Sequence, residues 1–219
     1  MNINFVDLKR QYQSIKTEID NAIFSVINNT SFILGNEVNT FENDFANLHG
    51  VKHCISVANG TDSLFIILKS LGIGVNDEVI TVCNSWISSS ETISLTGAKA
   101  VFIDINKESF LMDLNKIEKA ISSKTKAIMP VHMFGNPCDM TAIQKIASKY
   151  NLFIIEDCAQ AHLAEHKNKF VGTFGNAASY SFFPGKNLGA YGDAGGILTN
   201  DSDLALKCRM FARHGALEK

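Results

Sequence analysis

Four short apolar runs, Glu78 to Cys83, Ala100 to Ile105, Ala127 to His132 and Leu152 to Ile155, alternate with amphipathic stretches that end near Gly97, Ser122 and Tyr150. Short continuous runs with many β-branched residues suit strands buried on both faces, and apolar residues at three- and four-residue steps suit helices. This alternation predicts an α/β fold with three layers, a mostly parallel sheet covered by helices on both faces. Ligands of such sheets sit at the carboxyl ends of the strands. The polar residues just after each run are therefore the first place to look for chemistry.

The pattern extends upstream. From Phe5 to Asn29, apolar residues at helical spacing (Tyr12, Ile15, Ile19, Ile23, Val26) predict one amphipathic helix with a packed face. Asn36 to Leu48 repeats the pattern, and Gly50 suits a helix C-terminus. Cys54 to Val57 reads as a strand and Leu64 to Leu71 as a helix. The expected organisation is an N-terminal helical segment over 1–35 and one large domain over 36–219.

With 219 residues, 46% of them hydrophobic, the chain can bury a large core. A formal net charge of −2 offers no basic field for nucleic acid. No apolar run approaches the ~18 residues of a membrane span, and Met1-Asn2-Ile3-Asn4 lacks the order of a signal peptide. Five widely spaced cysteines with no C-x-x-C pair suit a reducing compartment. The expected location is cytoplasmic, with neither nucleic acid nor membrane as partner.

Between the strand at Cys54 and the helix at Leu64 lies Ala58-Asn59-Gly60-Thr61-Asp62-Ser63. A strand that turns through Gly into a helix opened by Thr and Asp exposes unpaired N–H groups, which suits an anion. Taken alone it reads first as an ordinary capped helix start. Trp86 follows the next strand with polar neighbours, placed to stack on a planar ligand or to fill a core or interface. Asp157 ends the Leu152 strand, where it could cap a helix or hold a protonated ring nitrogen. Lys186 follows a strand carrying Ser179 and Ser181 that breaks at Pro184-Gly185, a setting for a Schiff-base amine or an exposed loop lysine. The glycines after it, Gly189, Gly192, Gly195 and Gly196, read as backbone that turns tightly beside a ligand. Tyr180 and Asn187 break a Walker A pattern, and the glycine spacing is not that of a dinucleotide turn. Cys158, His162 and His166 stand four residues apart and would share a face of one helix, a spacing open to metal ligation. No fourth ligand is evident nearby and Glu165 to Lys169 reads as polar loop, so no metal is expected.

Together these positions offer an amine, a carboxylate, an aromatic face, a phosphate cradle and a hydroxyl at successive strand ends. The chain resembles the pyridoxal-phosphate-dependent nucleotide-sugar aminotransferases of the DegT/StrS group, within the aspartate aminotransferase fold type I. The matching segments are Phe5-Val6-Asp7-Leu8, Ala58 to Leu64, Pro130-Val131-His132-Met133-Phe134-Gly135, Glu156-Asp157-Cys158-Ala159-Gln160-Ala161-His162 and Ser181-Phe182-Phe183-Pro184-Gly185-Lys186-Asn187-Leu188-Gly189. The last two are specific to the group.

The resemblance implies pyridoxal 5'-phosphate as cofactor, with pyridoxamine 5'-phosphate as its intermediate form. Lys186 would carry the cofactor and act as general base, and Asp157 would pair with the ring nitrogen. Gln160 would bond the phenolic oxygen, Trp86 would stack on the ring, and Gly60, Thr61, Asp62 and Ser181 would hold the phosphate. The implied reaction is a ping-pong transfer from L-glutamate to a keto group of a nucleotide-linked sugar. Pro184 to Gly195 and Ala161-His162 resemble the C3-acting branch more, so a dTDP-3-keto-6-deoxyhexose is the first expectation, a UDP-3-keto sugar the second and a 4-keto sugar the third. The resemblance also implies a homodimer and a C-terminal small domain, which this sequence lacks. The alternative is a truncated or regulatory relative that binds the cofactor, or only dimerises, without turnover.

Overall fold

The computed structural model describes residues 5–216. Two helices, α1 (Leu8–Ser14) and α2 (Lys16–Asn28), lead into α3 (Asn36–His49). There follow β1 (His53–Val57), α4 (Gly60–Ser70), β2 (Glu78–Val82), α5 (Ser88–Leu95), β3 (Lys99–Ile103), α6 (Leu114–Ala120), β4 (Thr125–Ile128), α7 (Met140–Tyr150) and β5 (Phe153–Asp157). A short hairpin of β6 (Glu165–His166) and β7 (Lys169–Phe170) precedes β8 (Ala177–Ser181), β9 (Gly195–Thr199) and α8 (Ser202–Phe211).

Seven strands form one sheet in the order β1-β9-β8-β5-β4-β2-β3. β9 pairs antiparallel with both its neighbours, and every other pairing in the sheet is parallel. Six strands therefore point the same way and deliver their carboxyl ends to one edge, where β9 begins.

Both faces are covered, as the continuous apolar runs predict. Val79, Ala127, Ile155, Ala177 and Ile197 face the layer containing Leu64, Ile67, Ile93 and Leu204. Their chain neighbours Ile80, Ile128 and Ile154 face Ile117, Met140 and Ile143 of α6 and α7. Ala178 and Leu198 face Phe45 and Ala46 of α3. This period-two division of each strand is what a sheet buried on both sides requires.

The N-terminal stretch departs from the expected single packed helix. Ile15, at φ −124°, separates α1 from α2, and neither helix buries a residue. Ile23, Phe24 and Ile27 are exposed. The break is held by polar bonds, since Tyr12 Oη donates to Asp20 (2.6 Å) and Lys16 pairs with the same carboxylate. α3 ends as expected, with Gly50 at φ 66°.

Glycines after Lys186 serve space as much as turning. A Cβ on Gly195 would lie 2.3 Å from the carbonyl carbon and oxygen of Asn59, so the start of β9 touches the residue capping α4. Backbone cannot yield as a side-chain tip can. Gly195→Ala should therefore cost about 3 kcal/mol in urea denaturation, whereas Gly185→Ala, whose methyl would stop 3.8 Å from the Phe183 ring, should stay within about 0.5 kcal/mol.

Candidate active site

At the edge where the strands end, a cavity of about 440 Å³ is lined by Gly60, Thr61, Trp86, Asp157, Gln160, Ser181 and Lys186, with Ser85, Ser88, Phe183 and Asp193 among the others. Residues up to 134 positions apart thus meet at one place because four parallel strand ends, those of β1, β2, β5 and β8, converge there.

The phosphate-like end is built at the start of α4. Asn59 Oδ1 accepts the Asp62 N–H at 2.8 Å, and Ser63 N–H bonds the Asn59 carbonyl. The N–H groups of Gly60 and Thr61 find no acceptor among the described residues. A Cβ on Gly60 would approach Ser181 Cβ to 2.8 Å, so glycine lets the helix start close against β8. Thr61 Oγ1 lies 2.7 Å from Ser88 Oγ. Two free amides with hydroxyls beside them at a helix N-terminus form an anion cradle. Asp62 stands apart from this end: its N–H is spent on Asn59, and its side chain borders a separate groove with Arg209 and Arg213.

Asp157 is the last residue of β5 and is 5% exposed. Ser89 Oγ donates to its Oδ2 at 2.9 Å and the Ala159 N–H to its Oδ1 at 3.1 Å. Burial pushes its carboxyl up from the ordinary range, while those two bonds and the charge of Lys186 pull it back. A buried carboxylate held by these groups is a partner for a cation.

Gln160 is oriented from outside the cavity. Phe134, held at φ 56°, donates its N–H to Gln160 Oε1 at 2.9 Å. With the oxygen engaged, the amide NH₂ is the end left to offer a ligand. Trp86 is 75% exposed, which excludes a core role, and together with Phe183 it forms an aromatic wall. Lys186 sits in a turn where its N–H bonds the Phe183 carbonyl at 2.8 Å.

Behind Asp157, Glu156 accepts main-chain N–H groups of Gly172 (2.8 Å), Phe174 (2.8 Å) and Gly175 (2.7 Å). His132 Nδ1 accepts the Cys138 N–H at 3.0 Å, so its neutral ring carries the proton on Nε2 and donates it to Glu156 at 3.2 Å. Donor atoms of His132, Glu156 and Cys158 lie within 4.8 Å of one another, but these bonds already engage the imidazole and carboxylate, making the cluster an internal network. The Cys158, His162 and His166 alignment is not formed. Their segment is no helix: His162 packs on Tyr180 and Phe182, and His166 lies in β6 bonded to Thr141.

A family model described as the DegT/DnrJ/EryC1/StrS aminotransferase family matches residues 13–219. The chain belongs to this aminotransferase family. It is 46% identical over its full length to a protein of Geobacillus stearothermophilus named pleiotropic regulatory protein. It is also 46% identical, over 97% of its length, to UDP-2-acetamido-2-deoxy-3-oxo-D-glucuronate aminotransferase of Pseudomonas aeruginosa. The chain spans 59% of the length of each. Among solved structures it resembles S. venezuelae DesV in complex with a ketimine intermediate, with TM-score 0.96 and 39% identity over 99% of this chain and 58% of that one.

Family membership makes the cavity testable against pyridoxal phosphate, and its residues fit. The two free amides and the small Gly60 suit a phosphate, the shielded Asp157 suits a protonated ring nitrogen, and the free NH₂ of Gln160 suits a phenolate oxygen. Sequence reasoning reached Ser85 only as one of the polar residues at the end of the Glu78 strand, without a role, and missed Ser88 and Ser89. The signal was a serine-rich run around Trp86, which helical spacing alone could not aim at the site.

Proposed function

We propose that this chain forms the cofactor-binding part of a pyridoxal-phosphate-dependent transaminase that moves an amino group from L-glutamate to C3 of a nucleotide-linked keto sugar, such as a dTDP-3-keto-6-deoxyhexose. The observation that carries the reading is the meeting of Lys186, Asp157, Gln160, Trp86, Gly60, Thr61 and Ser181 around one cavity. The name of the Pseudomonas 3-oxo-sugar aminotransferase supports the keto-sugar acceptor, and the ketimine held by DesV supports amino-transfer chemistry. In this reading residues 36–219 are the cofactor unit and 1–35 a helical appendage.

Pyridoxal phosphate, when bound, supplies an aldehyde that condenses with amines and a cationic ring that draws off electrons. Lys186 Nζ is the amine that meets it and the base that takes and returns a proton. Asp157 keeps positive charge on the ring side by giving it a buried counter-ion. Gly60 and Thr61 amides with Ser181 and Thr61 hydroxyls hold the phosphate, and Asp62 contributes only through its bond to Asn59. Trp86 and Phe183 cover the ring and exclude water.

We further propose a homodimer acting in the cytoplasm. Exposed aromatics near the mouth, Trp86, Phe134, Phe183 and Tyr191, supply apolar surface for a second copy. All five cysteines are free, as a reducing compartment allows. Among the described residues no helix is long and apolar enough to cross a membrane.

Purified protein should take up pyridoxal phosphate with a visible absorption band, lose the band with L-glutamate and regain it with a 3-keto nucleotide sugar. The Geobacillus relative's name favours a second reading, a regulator that binds the cofactor without turnover. That reading predicts the band but no glutamate response. Return of the band only with a 4-keto sugar would overturn the C3 assignment.

A further inference from the structure

We infer that Ser89, backed by Ser85, is a positioning residue that holds the Asp157 carboxylate in one orientation and in its ionised form. Its purpose rests on the cofactor reading above; the hydrogen-bond chain stands without it. Ser89 lies in α5, 1% exposed, and its Oγ is 2.9 Å from Asp157 Oδ2 and 2.8 Å from Ser85 Oγ. Ser85 is half-buried and lines the cavity.

Donor counting gives the chain a direction. An ionised carboxylate can only accept, so Ser89 donates to Asp157. The Ser89 hydrogen is then spent, so between the two serines Ser85 is the donor. Protonation of Asp157 gives it a hydrogen of its own, and the donor Ser89 then faces an oxygen that no longer needs one. The chain therefore favours the carboxylate over the acid, and it acts from α5, an element that carries neither the lysine nor the carboxylate. The preceding serine of the helix, Ser88, meets Thr61 at the other end of the cavity. One turn of α5 thus ties the phosphate-like end to the carboxylate end, setting their spacing.

The titratable groups that face Asp157 from other elements are His132, beyond β4 and neutral through its Cys138 bond, and Lys186, in the loop after β8, whose charge favours the ionised form. Their presence requires a test that isolates the serine. Thermal denaturation of the cofactor-free chain should be followed from pH 4 to 8 for wild type, Ser89→Ala, Asp157→Asn and the double variant. Burial raises the Asp157 carboxyl, so its contribution to stability is complete at low pH and is lost as pH rises through its folded titration. Ser89→Ala should displace that loss to higher pH by about one unit, and the displacement should vanish in the Asp157→Asn background. Ser85→Ala should give a smaller displacement of the same sign, which keeps the test usable if the buried alanine variant folds poorly. A loss of stability equal at every pH, or one that persists unchanged without Asp157, would overturn the inference.

Pyridoxal phosphate binding, followed by absorbance, supplies the second arm. Ser89→Ala should weaken it about tenfold and Ser89→Thr, which keeps the hydroxyl, should restore it. Wild type that shows the pH displacement yet never binds the cofactor would defeat the proposed function while leaving the Ser89–Asp157 coupling intact.

Discussion

Lys186→Ala should bind pyridoxal phosphate without the visible band of a lysine-bound cofactor and should lose amino transfer by at least about 10³-fold, at the upper part of the range for losing a proton-transfer group. The fold should survive. Among the described residues, the Lys186 side chain makes no hydrogen bond or ion pair, so its removal should change stability by no more than about 0.5 kcal/mol. Its charge favours the ionised form of Asp157 and, after burial, the neutral form of His162, so the variant should also titrate Asp157 at a higher pH. A small exogenous amine should recover part of the rate, because the cavity left at Nζ is open to the ligand space. Retention of the band in the alanine variant would show that another amine carries the cofactor.

Asp157→Asn should have two effects of opposite sign. Amino transfer should fall by about 10²–10⁴-fold, since the site loses the only carboxylate buried in its lining. Stability of the cofactor-free chain should rise at neutral pH. Burial holds the folded carboxyl above its unfolded value, so its favourable contribution is present below the unfolded value and is gone once pH passes the folded one. At pH 7 the ionised group is a burden that asparagine removes while still accepting from Ala159 and meeting Ser89. A rise of ~2–4 °C in Tm, the change that about 1 kcal/mol makes in a domain of this size, is expected at pH 7 and should shrink towards pH 4. A Tm lowered equally at both pH values would show that Asp157 serves structure before function. The stability that the ionised carboxylate gives up is what leaves it available to a cationic ligand.

Much of this was readable from residue order. Near-continuous burial along β2, β4 and β5 and helical spacing on α3, α4 and α7 are local properties, and local spacing survives whatever the fold does with it. The same holds for Asp157 at a strand end and for the Gly60 turn entering a helix. The Phe5 to Asn29 stretch misled because a periodic stripe records what a helix could bury, not what lies next to it; here Ile15 breaks the helix and the stripe residues Tyr12, Ile15, Ile19 and Val26 are only half-buried. Buried Glu42 carried no signal either, since its partner Arg209, bonded through both nitrogens at 2.7 Å, lies 167 residues away.

The sequence by itself determined the order of strands and helices, the mostly parallel sheet and the side-chain types waiting at its strand ends. Only the tertiary structure decided which of them face one another. It placed Asp62 on a separate groove, brought Ser88 to the cavity wall and Ser89 behind Asp157, and used the Phe134 N–H to point the Gln160 amide inwards. The physical reason is range. Faces and caps follow from contacts within a few residues, whereas a hydrogen bond across 68 positions, as between Ser89 and Asp157, exists only after the sheet order has been chosen.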